Sequence, residues 1–137
     1  MPERTDRREG LLNRRHSEAS QRFAERRRRE DEAPRLHTEF PKLESLRLEI
    51  EERRSGSPVG EAGYIRRIMV DNAPALFVLP CGDPSCKDGG HEITDGLLRA
   101  LRAGQGRFET EDPCRGQIGS SECQRVLHCI AIATYRP

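Results

Sequence analysis

The clearest alternation in the chain is Leu46-Arg47-Leu48-Glu49-Ile50-Glu51, where apolar and charged residues take strict turns. A period of two predicts a half-buried strand, while the leucine and glutamate content makes a helix the competing assignment. Residues Tyr64 to Val70, rich in β-branched and aromatic side chains, predict a second strand. The turn residues Asp71-Asn72-Ala73-Pro74 then lead into a short apolar strand over Ala75 to Pro80. Ile93, Leu97, Leu98 and Leu101 recur at helical spacing, with Glu92 and Asp95 at the favourable N-terminal end and Gly104 as the stop. In that reading His91 opens the helix. Arg107 to Thr110 is a further short strand.

Cys123 to Tyr135 has the strongest strand character, because Val126, His128, Ile130 and Ile132 alternate with Leu127, Cys129, Ala131 and Ala133. Apolar residues at both parities predict a strand buried on both faces. Between these elements, Arg53 to Gly63, Cys81 to Gly90 and Glu111 to Ser121 are polar and rich in glycine, and are expected to be loops. The sum is an α+β fold: a small antiparallel sheet with one principal helix packed on it, occupying residues 36–137.

Residues 1–35 follow a different rule. Leu11, Leu12 and Phe23 make no continuous stripe, and arginine alternates with glutamate. The expectation is a charged, disordered extension with a transient helix over Arg22 to Arg29, supported by Glu25 and Glu30. Composition agrees with this division: 34% charged residues and a mean hydropathy of −0.83 are too polar for one core built from end to end. The net charge of +1 hides a slightly basic extension and a slightly acidic remainder, so whole-chain steering toward nucleic acid is weak. Lys42 and Lys87 are the only lysines, which points to a coding bias rather than selection of arginine for phosphate forks. No apolar run serves as a secretory signal or a membrane span, so a cytoplasmic protein without a membrane partner is expected.

The chemistry lies in the cysteines. All five fall between Cys81 and Cys129, and the first eighty residues contain none. In a reducing compartment such clustering favours metal binding over a disulfide framework. Cys81 with Cys86 and Cys114 with Cys123 form two pairs on two glycine-bearing loops, the way a tetrahedral zinc site is usually delivered. A structural zinc held by these four thiolates is the prediction, with His91 as an alternative ligand. If the strands before Cys81 and after Cys123 are antiparallel neighbours, the two thiols meet at one sheet edge. Cys129 is assigned to packing and His128 to a hydrogen-bonded place in the core. The domain lacks tryptophan and has few aromatics, so a metal crosslink would supply order that a modest core does not.

Other chemistries are poorly supported. Thiol redox catalysis lacks a Cys-x-x-Cys and a helix starting at the first thiol. His91-Glu92 followed by Pro113-Cys114 resembles the order of zinc-dependent nucleobase deaminases. Glu92, however, directly follows the histidine, which turns it about 100° away on a helix. No phosphate-binding glycine loop, no serine-histidine-acid set and no small-molecule substrate site is apparent. What remains is a non-enzymatic adaptor or regulatory module. It would contact nucleic acid or a ribonucleoprotein through the arginine-rich extension, or alternatively bind protein alone.

Overall fold

A computed structural model describes residues 21, 23–54 and 62–137. The chain divides into two units at the junction of Ala33 and Pro34. In the first unit, residues 23–32 form helix α1, whose arginines 26–29 are all exposed. The expectation of disorder for residues 1–20 lies outside the described residues.

The second unit is an α+β domain. A one-turn helix α2 (Leu36–Glu39) drops Leu36 into the core. It leads to β1 (Leu43–Arg54) and β2 (Ala62–Ile68). Next come β3 (Val78–Leu79), β4 (His91–Glu92) and α3 (Thr94–Arg102). The chain closes with β5 (Arg107–Pro113), β6 (Gln117–Ile118), β7 (Ser121–Glu122) and β8 (Arg125–Tyr135). The main sheet has the order β2-β1-β8-β5, and every pairing is antiparallel. β1 and β8 are its long central pair, running in register from Ser45 opposite Thr134 to Arg54 opposite Arg125.

Alternation explains how this sheet packs. Leu46, Leu48 and Ile50 of β1 and Leu127, Cys129, Ala131 and Ala133 of β8 point to one face and are buried. Leu97 and Leu101 of α3 cover that face together with Leu36, Phe40, Phe77 and Leu79. Fully burying a leucine contributes about 2–3 kcal/mol, so leucines 36, 48, 79, 97 and 127, all essentially without exposure, supply much of the driving force. α3 ends in a Schellman turn: the Gln105 N–H donates to Ala100 O and the Gly104 N–H to Leu101 O. Gly104 has φ +69°, a conformation glycine adopts without steric cost.

The structure departs from the sequence pattern in five places. β8 is buried on one face only; Val126, His128, Ile130 and Ile132 are half-buried on an uncovered side of the sheet. His128 is therefore not a core residue. The predicted strand over Ala75 to Pro80 shrinks to β3, which pairs with β4 and not with the main sheet, because prolines 74 and 80 flank it. His91 lies in β4, and the helix begins at Thr94 instead of at His91. β1 runs to Arg54 and β5 to Pro113, beyond the expected ends, since edge and terminal positions carry polar residues that mask a strand. Finally, the second loop contains a hairpin, β6–β7, turning through Gly119 at φ +63°.

Candidate metal centre

The two cysteine loops leave the same end of the domain. Cys81 follows β3 and Cys114 follows β5, while Cys123 lies between β7 and β8. Cys81 and Cys123 meet even though β3 and β8 are not neighbours, so the condition of adjacent strands was unnecessary. Backbone bonds join the loops: Lys87 and Gln117 exchange N–H···O bonds of 2.8 and 2.9 Å. The Cys123 N–H donates to Gly116 O, and the Cys114 N–H donates to Arg125 O.

This brings Cys81, Cys86, Cys114 and Cys123 together, with all four Sγ atoms within 4.8 Å of one another. Cys81 and Cys123 Sγ are 3.8 Å apart, and Cys86 and Cys114 Sγ are 3.6 Å apart. A tetrahedron with metal–sulfur bonds of about 2.3 Å has sulfur–sulfur edges of about 3.8 Å. The four cysteines could hold a metal ion. Cys114 and Cys123 are buried, while Cys81 and Cys86 are half-buried.

Two glycines let the loops close this tightly. A Cβ on Gly89 would lie 2.6 Å from Cys114 Sγ and nearer still to Cys86 Sγ. One on Gly116 would lie 2.6 Å from Gly89 Cα, again nearer to Cys86 Sγ. Backbone donors also face the sulfurs. The Gly90 and Gly116 N–H groups each point at Cys114 Sγ at 3.4 Å, and the Asp83 N–H points at Cys81 Sγ at 3.5 Å. Burial pushes the Cys81 thiol up to about 11 and raises Cys86 as well. Desolvation is the largest influence on Cys114 and acts upward, but the Gly116 and Gly90 donors together with hydrogen bonds from Cys86 and Cys123 leave this thiol below its ordinary range. A metal entering the site must displace protons, and Cys114 gives up its proton more readily than Cys81 or Cys86.

Behind the thiols sits a buried polar cluster. Glu52, on the inward side of β1 and 6% exposed, accepts the Gly82 N–H with both carboxylate oxygens, at 3.0 and 2.9 Å. Arg125 Nη1 lies 3.5 Å from the same carboxylate. His91 is 2% exposed; its Nδ1 lies 3.2 Å from Asp112 Oδ2. Its Nε2 is 3.3 Å from Glu52 Oε1 without hydrogen-bond geometry. Both ring nitrogens thus face carboxylates, and His91 stands outside the four-sulfur group. Gly82 is next to Cys81 and Asp112 is two residues before Cys114, so the cluster fastens both metal loops to the sheet.

Sequence reading grouped the same four cysteines that the structure brings together but missed Glu52. The signal was available in the inward parity of Leu46, Leu48 and Ile50, which puts residue 52 on the buried side. Cys129 is fully buried in the core, away from the four-cysteine group. His128 Nε2 lies 2.6 Å from Glu109 Oε1 on the uncovered face. Glu92 is exposed in β4, and Cys114 lies between β5 and β6 instead of on a helix, so the deaminase-like order is not accompanied by that arrangement. Among the described residues, no helix is long and apolar enough to cross a membrane. No protein-family description matches the chain, and no curated protein or solved structure matches it.

Proposed function

We propose that Cys81, Cys86, Cys114 and Cys123 bind one structural zinc ion, and that the domain is a non-enzymatic adaptor or regulatory module. The convergence of four sulfurs at near-tetrahedral edge lengths carries this reading. An all-thiolate tetrahedral set selects zinc or iron, and with four protein ligands the metal has no open position for a substrate. The test is metal content per chain on protein purified without a histidine tag. One zinc per chain is expected, and cobalt substitution should give the absorption of a tetrahedral thiolate site. Replacing any of the four cysteines by serine should abolish stoichiometric binding, whereas Cys129→Ser should retain it. Full zinc retention in Cys114→Ser or Cys123→Ser would transfer the fourth position to His91.

For the partner, the exposed arginines 26–29 of α1 support nucleic acid as the first class to assay. Binding should weaken steeply between low and physiological salt, and removal of residues 1–35 should abolish most of it. A protein partner is the second reading, favoured by Tyr64, Ile65 and Met69, which expose 48%, 59% and 74% of their surface. Absence of salt-sensitive nucleic-acid binding in the full chain would leave protein as the partner class.

A further inference from the structure

We propose that the domain self-associates through strand β2, which pairs antiparallel with β2 of a second copy to extend the main sheet across a two-fold axis. β2 is an edge strand, hydrogen-bonded to β1 on one side only within its sheet. A bare edge of seven residues, about 23 Å long, offers a row of backbone donors and acceptors. This edge is also apolar. Tyr64 and Ile65 lie on it and Met69 just beyond it, and among the described residues only Phe23 of the other unit is a further exposed large hydrophobic.

The residues select a second copy as the occupant. On the uncovered face of the sheet, Gly63 stands opposite Glu51, Ile65 opposite Glu49 and Arg67 opposite Arg47. A Cβ on Gly63 would meet only Ile50 O, at 3.5 Å, so the missing side chain leaves a notch. That notch belongs to a groove of about 540 Å³ lined by Glu49, Glu51, Tyr64, Ile65, His128 and Ile130. Neither the Glu51 nor the Arg67 side chain makes an ion pair or hydrogen bond among the described residues.

Pairing β2 with itself about Ile65 uses all of these features. Ile65 meets its own copy, Tyr64 faces Arg66 of the partner subunit, and Arg67 crosses the partner's Gly63 toward the partner's Glu51. Two strand spacings, about 10 Å between α-carbons, lie within the combined reach of arginine and glutamate. Centring on Arg66 or Arg67 would instead oppose like charges directly, which is unfavourable. The pairing is short, so the dissociation constant belongs in the micromolar range.

Sedimentation equilibrium of the full chain, from about 1 to 300 µM, tests this range. A monomer–dimer equilibrium is expected, with the exchange protection of amides 62–68 rising with concentration. Ile65→Lys should leave a monomer throughout. Glu51→Lys and Arg67→Glu should each weaken dimerisation by about tenfold, because each breaks both symmetric ion pairs. Mixing those two variants should restore association to near the original level, since in the mixed dimer both cross-interface pairs between positions 51 and 67 again join opposite charges. Ile65 and Arg67 are exposed and Glu51 is half-buried on the uncovered face, and a circular dichroism melt checks that each variant folds. A chain that is monomeric across the whole range, a dimer indifferent to Ile65→Lys, or a mixture no tighter than its components would each overturn the proposal.

Discussion

Replacing Gly116 by alanine adds one methyl group, and the structure allows its consequence to be worked out. The new carbon would stand 2.6 Å from Gly89 Cα and 2.7 Å from Gly89 N, and closer still to Cys86 Sγ. Ordinary contact begins near 3.4 Å, so the loop carrying Cys86 must retreat by about 0.8 Å. Two of the three obstructing atoms are backbone and cannot rotate away. A zinc–sulfur bond tolerates a displacement of about 0.2 Å. The required shift is therefore several times what the site can absorb, and it also strains the paired Lys87–Gln117 bonds.

The expected result for Gly116→Ala is a loss of zinc affinity of at least about 100-fold, the upper range for disturbing groups that merely support a metal's ligands. Gly119→Ala is the control. Gly119 has φ +63° and nothing within 4 Å of an added Cβ, so alanine there costs about 1 kcal/mol of backbone strain and leaves affinity within about threefold. Competition titration against a chromophoric chelator measures both. If Gly116→Ala binds zinc as well as Gly119→Ala does, the loops do not close around a metal as described, and the tetrathiolate reading loses its geometric basis.

Glu52→Ala should destabilise the domain by about 3 kcal/mol in denaturant titration, because it leaves His91, Arg125 and the Gly82 N–H around a vacated buried anion. Apparent zinc affinity should fall more than about tenfold per pH unit between pH 8 and 6, since a thiol that burial holds near 11, as at Cys81, must lose its proton to bind; a pH-independent constant would contradict this. Cys129 is raised from 9.0 to about 11 by burial. Its contribution to stability is therefore complete below pH 9 and lost as pH climbs through 11, and the alkaline melting profile of Cys129→Ala should be the flatter one. Chelation should raise amide exchange in residues 81–90 and 114–123 while β1 and β8 stay protected; simultaneous exchange of the central strands would refute that separation.

The parts of this fold legible in the sequence are those where one physical requirement dominates. Strict alternation over residues 46–51 announces β1, and helical spacing ending at Gly104 announces α3. The four site cysteines were legible because they are concentrated on two glycine-bearing loops, while the fifth, Cys129, falls inside an apolar strand. What escaped depends on pairing across distance. The strand expected over Arg107 to Thr110 continues to Pro113, and that extension escaped because its inward residue there is Asp112 and the strand has no apolar signature beyond Phe108. Val126, Ile130 and Ile132 looked buried because hydropathy cannot tell that the second face of the sheet stays uncovered. Glu52 reads as a charge at a strand's end until Gly82 is brought to it from thirty residues away.

The position of the four-cysteine site relative to the core narrows what a metal bound there would do. None of the four cysteines belongs to the contiguous apolar cluster, which is built from α2, β1, α3, β8 and the segment around β3. The sheet has its own leucines and its own long ladder. By contrast, none of the ten residues from Cys81 to Gly90 is buried. Fixing their backbone costs about 10–20 kcal/mol, and exposed side chains return little of that through the hydrophobic effect. The binding energy of a structural zinc, about 10–16 kcal/mol, is of the size needed to offset it. A metal bound there would order the two loops, and the Glu52 carboxylate, which accepts the Gly82 amide, ties the first of them to β1. The four-cysteine cluster fits the expected zinc stabilisation of the domain, with the core placed to hold the sheet and a bound metal placed to shape one end of it.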